Sequence, residues 1–484
     1  MGMTKTLLLL IFLLLAAGCE PQTHHQAINF AIAQAPLNLD PRYATDAASE
    51  RVNRLIYQPL FDFDAASRPA PILALSASLN GHEYRILLKK NRVNFHNQAP
   101  LNADDVAATY ASILNLSDSP HAAEFSNIKQ VTALDDDTVL FVLKQADAHF
   151  LEKLIIGILP KSLIAQSHDF AHKPVGSGPL KLVRWQNKLT LKRIKDGQLI
   201  SLQEVKDPTV RVLKLLRGEA DLLQGDLPPE LVKYCQKKPE INVKTSEGAN
   251  FSYLGLNMQD AVLKQLKVRQ AIAHAINSKA IIDNVMVQNS HIAGAILPTA
   301  HYAGNAKLTP YDYNPLLAKK LLIEAGVKLP LKLEYKTSTD AQRVRFATIM
   351  QAQMRPAGID LHIKSLDWGT FFADVKQGNF QLFGLTWVGI KTPEIYAKAF
   401  ASNNTPPNGF NRGRYADITL DALLNNENWP AVTQRIHTQL PYIPLWYEGQ
   451  FVAMRKNITH YSAKPDGNWD DLAQIQKAEA DRLQ

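Results

Sequence analysis

The sequence predicts an α/β protein with more than one domain. Two observations carry this. Strand-like and helix-like patterns alternate between residues 331 and 390, and such alternation builds a parallel sheet. The chain has 484 residues, 46% of them hydrophobic and 20% charged. That is too long for one compact core and ordinary in composition for a globular protein. Disorder, a collagen-like chain and a small disulfide scaffold are excluded on composition.

The N-terminus reads MGMTKTLLLLIFLLLAAGC. Lys5 supplies a positive start, Leu7 to Leu15 an apolar stretch, and Ala16, Ala17 and Gly18 the small residues before Cys19. This is the pattern of a secretory signal with a cysteine placed as in a bacterial lipobox. The apolar run is too short to span a membrane well, so a polytopic membrane protein is excluded. Residues 1–18 are read as a signal peptide and 19–26 as a polar tether, with Cys19 lipidated to anchor the chain. Ordinary cleavage after Gly18, leaving a free secreted protein, is the alternative. Lys and Arg number 53 against 45 Asp and Glu, a net +8, but the charges are scattered. No nucleic-acid partner is expected. The two cysteines, Cys19 and Cys235, build no disulfide framework, and Cys235 is read as a packed, lone thiol.

The elements follow in order. Ala27 to Ile32 alternate as a strand, which Pro36 and Leu39-Asp40-Pro41 break. Tyr84–Leu88 and Val139–Leu143 are further strands. Val268, Ala271, Ile272, Ala275 and Ile276 make one helical stripe. Asn314-Pro315 is an N-cap with proline at the first helical position, and Gly326 stands where a helix should end. Leu331–Thr337, Ile359–Leu366 and Phe380–Trp387 are strands, separated by helices over Ala341–Met354 and Thr370–Lys376. Right-handed crossovers make these strands parallel. Ligands of open α/β sheets lie beyond the carboxyl ends of the strands. The loop Trp387-Val388-Gly389-Ile390-Lys391-Thr392-Pro393 stands at such an end and is a candidate ligand loop.

Motifs for catalysis are missing. The sequence holds no GxxxxGK[ST], no GxGxxG fingerprint and no HExxH. Gly176-Ser177-Gly178 lacks the spacing of a nucleophile elbow. The 14 histidines are dispersed; His24-His25, the adjacent pair, lies in the tether. Nothing sets His362, Asp367 or His437 beside a nucleophile. No catalytic residue, metal site or cofactor is expected, and the chain is not read as an enzyme.

Several segments recur in a telling order. Tyr84-Arg85-Ile86-Leu87-Leu88-Lys89-Lys90 precedes Val93-Asn94-Phe95-His96 and Pro100-Leu101-Asn102-Ala103-Asp104-Asp105-Val106. Lys173-Pro174-Val175-Gly176-Ser177-Gly178-Pro179-Leu180, Asp207-Pro208-Thr209 and Leu216-Arg217-Gly218-Glu219-Ala220-Asp221 follow. Val268-Arg269-Gln270-Ala271-Ile272, the helix from Ala318 to Gly326, and Leu440-Pro441-Tyr442-Ile443-Pro444-Leu445-Trp446 close the series. Each motif has a plain structural use. Asn102 and Asp104-Asp105 can cap a helix near Val106. Gly176 and Gly178 allow a tight backbone turn. Arg269 is read as paired within the fold.

Together, over about residues 27–475, they resemble the peptide/nickel family of extracellular solute-binding proteins, the oligopeptide- and dipeptide-binding receptors of bacterial ABC importers. The resemblance implies a two-lobed periplasmic-binding-protein fold with a hinge and an extra subdomain in the first lobe. Residues 27–50, 175–260 and 450–484 map to a discontinuous main lobe, 51–174 to the extra subdomain and 261–449 to the second lobe. It implies a periplasmic, lipid-anchored monomer, or a cell-surface lipoprotein in a Gram-positive cell. A peptide or peptide-like ligand would be captured between the lobes and delivered to a membrane permease and its ATPase. The alternatives are a receptor for a non-peptide small molecule (nickel chelate, haem or metabolite) and a lipoprotein that kept the fold but lost uptake.

The resemblance also implies site residues. Peptide-binding relatives hold the α-amino group with an aspartate three residues after the loop tryptophan; here that position is Ile390, with Lys391 beside it. Val375 and Gly384 stand where oligopeptide binders carry arginines. The expected ligand-binding set is Trp387, Gly389, Ile390, Lys391, Trp368, Trp446, Tyr447, Asn411 and Gln34, an aromatic and weakly charged cleft.

Overall fold

The computed structural model describes residues 27–478 apart from 117, 407 and 408. The signal, the tether and Cys19 lie outside the described residues. Among those residues, no helix is long and apolar enough to cross a membrane.

One sheet runs across the molecule. Its strands stand in the order Ile359–Leu366, Leu331–Ser338, Leu382–Trp387, Ile241–Leu256, Tyr442–Arg455, Leu222–Gln224, Ile28–Ile32, Leu199–Glu204, Leu189–Arg193 and Leu180–Trp185. The first three are parallel. Ile28–Ile32 is parallel to both of its neighbours. Between these halves lie two long strands, Ile241–Leu256 and Tyr442–Arg455, antiparallel to one another and shared by both.

The two halves meet head on. Gln224 pairs with Val452, and Trp387 pairs with Phe251, which pairs with Tyr447. Parallel strands from both sides therefore point their carboxyl ends at the middle of the long ribbon. There the ladder is interrupted, with a register shift between Ser246 and Asn250. A bulge bends a strand and increases its twist, so the ribbon's middle is the place suited to a hinge.

Separate cores flank this ribbon. Leu254, Val268, Ile272, Leu333, Met350 and Trp446 belong to one cluster, and Phe251, Phe371, Phe383, Tyr396, Ile436 and Tyr447 to another on the opposite face of the same sheet. Phe30, Leu55, Leu191 and Trp469 centre a third. A four-stranded antiparallel sheet, ordered Ala74–Asn80, Glu83–Leu88, Thr138–Leu143 and Ile128–Ala133, packs a core of its own with the helix Ala103–Asn115. That helix starts on a capping box in which Asn102 and Asp105 each satisfy the other's backbone N–H.

The alternating strands and helices from 331 onwards form with small shifts. The helix expected from Thr370 starts at Trp368, because Asp367 is its cap and accepts from the Thr370 N–H. The strand expected from Phe380 starts at Leu382, since the Phe380 carbonyl is taken by the Asn257 amide. Arg269 is buried, and its guanidinium donates to the carbonyls of Leu263, Lys264 and Gln439. A side chain at Gly176 would meet the Ile56 carbonyl at 2.1 Å, which explains the glycine. Cys235 is buried and free, and burial pushes its thiol up to about 11, so it stays protonated and inert.

Polar contacts join segments distant in the chain. His149 lies between Glu152 at 2.8 Å and Glu427 at 2.9 Å. Lys153 reaches Asp147 at 2.8 Å and Glu394 at 3.6 Å. The Tyr302 hydroxyl donates to Glu152 at 3.0 Å. Arg345 pairs with Glu230.

Candidate functional site

A cavity of about 780 Å³ opens at the middle of the long ribbon. The ribbon supplies its floor through Asn250, Ser252, Trp446 and Glu448. One wall is the segment from Gln224 to Glu230, which follows a strand of the first half. The facing wall is Asp340 to Phe346, the start of the helix Ala341–Met354 that follows the strand Leu331–Ser338. Carboxyl ends of strands from both halves thus frame one space, as open α/β sheets place ligands. Its volume lies in the range of small-molecule sites.

Strand pleating decides which groups enter. Thr386, Ser252 and Trp446 are cross-strand neighbours and share one face. Trp387, Phe251 and Tyr447 are neighbours on the other face. The cavity lies on the Trp446 side. There the Phe346 ring meets Trp446 edge-on, with centroids 5.0 Å apart. Trp446 is 2% exposed, and its Nε1 has no partner among the described residues.

The polar groups on the floor are ordered. Glu448 Oε1 accepts from Ser252 Oγ at 2.7 Å and Thr386 Oγ1 at 3.2 Å, and the two hydroxyls lie 2.7 Å apart. Gly384 makes room for the wall: a Cβ there would stand 2.0 Å from the Tyr335 hydroxyl oxygen. Burial lifts the Tyr335 phenol to about 12, against the opposing charge of nearby Arg343. Arg343 lines the cavity with no ion pair or side-chain hydrogen bond among the described residues.

The expected site residues separate into several places. Trp446 lines the cavity. Tyr447 faces the other way, buried, and its hydroxyl donates to the carbonyls of Ala295 and Leu297. Trp387 stacks on Tyr253 at an interplanar angle of 13°, and the Arg412 guanidinium sits 4.6 Å from its ring centroid. Gly389 is exposed at φ +68°, and Ile390 packs against the core cluster behind Trp387. Lys391 pairs with Asp466 at 3.2 Å and lies 5.6 Å from the Phe63 ring centroid. Trp368 is 53% exposed and stacked on Phe372. Asn411 is buried, its amide donating to the carbonyls of Ala401 and Tyr415. Gln34 is exposed beyond the strand Ile28–Ile32. Val375 is fully buried core.

Sequence reasoning missed Glu448, Ser252, Thr386 and Arg343. One signal was present: in the apolar run from Tyr442 to Met454, polar Glu448 and Gln450 continue the alternate positions begun by Trp446.

Comparison with known proteins agrees with this architecture. Residues 68–407 match the family described as bacterial extracellular solute-binding proteins, family 5. The glutathione-binding protein GsiB of Escherichia coli is 27% identical over 472 residues, covering 88% of this chain and 90% of the relative. Di/tripeptide-binding protein 1 of Pseudomonas aeruginosa is 24% identical over 510 residues, covering 92% and 94%. HbpA2 from Haemophilus parasuis superposes with a TM-score of 0.79 at 25% identity, covering 94% of this chain and 100% of that one. The periplasmic binding protein DppA from Helicobacter pylori, solved with the peptide STSA, gives 0.74 at 25% identity, covering 93% and 98%. The match spans well over half of the chain, and the fold is the two-lobed one of periplasmic binding proteins: this protein belongs to the bacterial extracellular solute-binding proteins of family 5, a family of binders and not of enzymes.

Proposed function

We propose that this chain is the ligand-capturing component of an ABC importer, that it holds a short peptide or peptide-like molecule in the hinge cavity, and that it delivers this ligand to a membrane permease. The observation that carries the reading is the cavity of about 780 Å³ framed by carboxyl strand ends from both halves of the sheet. That volume suits a ligand of drug-like size, the scale of a di- or tripeptide. Two relatives bear the names of short-peptide binders, one for glutathione and one for di- and tripeptides.

Residues 27–50, 175–260 and 450–484 form the main lobe in this reading, 51–174 the extra subdomain and 261–449 the second lobe. The four-stranded sheet has an apolar core of its own, in keeping with an extra subdomain, while Val52 to Tyr57, Leu159 and Phe170 pack with the main lobe's core and Phe251 to Leu256 with the second lobe's. Cys19 carries the lipid that tethers the protein outside the cytoplasmic membrane. Trp446, packed against Phe346, borders the ligand. Trp387, Gly389, Ile390, Lys391 and Trp368 form the second lobe's rim, and Gln34 the opposite one. Tyr447 and Asn411 support the second lobe from within by holding the carbonyls of Ala295, Leu297, Ala401 and Tyr415.

The apolar packing of Ile390 favours one rival, a non-peptide metabolite or chelate that needs no counter-charge at the loop. Native mass spectrometry of gently purified protein from Glu20 onwards separates the two. A series of short-peptide masses supports the peptide reading. One discrete non-peptide mass supports the rival. An empty protein that stays empty in the presence of peptides contradicts the uptake role.

A further inference from the structure

The cavity floor carries a carboxylate that the fold does not neutralise. Glu448 accepts two neutral hydroxyls, from Ser252 and Thr386, and no Lys, Arg or His pairs with it among the described residues. Of the other acids at this wall, Glu230 pairs with Arg345, Asp340 caps a helix by accepting from the Arg343 N–H, and Asp226 is exposed to solvent. A partly buried carboxylate without a counter-charge is unfavourable unless something supplies one.

The opposite sign is unused as well. Among the described residues the Arg343 guanidinium lines the same cavity without an ion pair or hydrogen bond, whereas Arg345 pairs with Glu230 and Arg51 lies over the Trp469 ring at 5.4 Å from its centroid. Glu448 and Arg343 do not pair with each other. Two neutral groups complete the set: Trp446 Nε1, a donor, and Asn250 Oδ1, an acceptor, are both buried and unpartnered. Buried polar groups are nearly always hydrogen-bonded in a finished fold. A carboxylate without a counter-charge, an unpaired guanidinium and two unpartnered buried polar atoms around one cavity suit a ligand that carries both charges.

We propose that Glu448, held by Ser252 and Thr386, receives an ammonium group of the ligand and that Arg343 receives its carboxylate, so that the cavity selects zwitterions with both ends free. This rests on the hinge cavity being the ligand site and narrows what enters it. A carboxylate and a guanidinium match these two ends by charge and by hydrogen-bond donor count. The ammonium is then held from the ribbon, not from the loop after Trp387, where Ile390 offers no charge.

The test uses a degenerate tripeptide library in four pools: free ends, N-acetylated, C-amidated and doubly blocked. Binding to the wild type, Glu448→Gln and Arg343→Gln is read by native mass spectrometry. The wild type retains the free pool over each blocked pool by about ten- to hundredfold, the worth of a charged hydrogen bond. Glu448→Gln keeps the shape and the two hydroxyl contacts but loses the preference for a free N-terminus alone. Arg343→Gln loses the preference for a free C-terminus alone. Ser252→Ala, a milder change, weakens the N-terminal preference. Equal retention of acetylated and free peptides by the wild type overturns the proposal, as does an unchanged preference in folded Glu448→Gln. Retention of none of the pools contradicts the peptide reading instead. Free amino acids and their N-acetyl and amide derivatives then test the anchors alone, and no discrimination among those overturns the proposal.

Discussion

At the scale of single residues, the site is defined by what a side chain excludes as much as by what it offers. Gly384 stands where a resemblance to oligopeptide binders predicts an arginine, and the Tyr335 hydroxyl fills the space that any side chain would need. The guanidinium near that tyrosine comes from Arg343 on another element. Gly384→Ala should therefore destabilise the protein by about 1–3 kcal/mol, the usual cost of overpacking. Tyr335→Phe in the same chain should recover part of it, because the clashing oxygen is removed. Urea unfolding of the three variants checks this; an unchanged midpoint in Gly384→Ala contradicts it. Such facts were invisible in the sequence. Ile390 showed there as a missing carboxylate, but nothing local to position 390 points to Glu448, which lies 58 residues on and reaches the cavity only through the cross-strand pairing of Ser252, Thr386 and the closing strand.

At the scale of elements, periodicity was a good guide wherever an element has two unlike faces. The strands and helices from 331 to 387 and the helix capped by Asn314 formed within a few residues of their expected bounds. Caps account for the shift at Trp368, since Asp367 competes for the first turn's amide groups. The 16-residue strand Ile241–Leu256 was not legible. Its interior changes partner and passes through a bulge, so its two ends obey different patterns. The short helix Phe150–Lys153 shows a contact that only the fold creates. Its preceding residue His149 is clasped first by Glu152 and then by Glu427, and these carboxylates lift its pKa to about 9. A raised histidine contributes stability that is complete below its unfolded value near 6.5 and is lost as pH rises through the folded value. The melting temperature of the wild type should thus exceed that of His149→Gln at pH 6, with the gap narrowing from about pH 6.5 and nearly closed by about pH 9. A gap that stays constant to pH 10 contradicts the contact.

At the scale of the whole molecule, the design is two sets of parallel strands aimed at a shared, bulged ribbon. Charged contacts such as Lys391 to Asp466 and Lys153 to Glu394 join the facing segments at the rim. They are only partly covered, and ion pairs near solvent add little to stability, which suits a hinge whose closure is driven by ligand. Fold class was readable in the sequence because motif order survives where single motifs say little. The place of the cavity was readable only in part: the rule of carboxyl strand ends led to the loop after Trp387, whereas strand pleating turns Trp387 away from the cavity at the ribbon. In the proposed function, ligand occupies the hinge cavity beside Trp446 and Glu448. A crystal structure of the protein grown with the ligand it retains tests this most directly. Density is expected beside Trp446, between residues 224–230 and 340–346, in contact with Glu448. Density confined to the Trp387 and Phe410 shelf, with the hinge cavity empty, would contradict it.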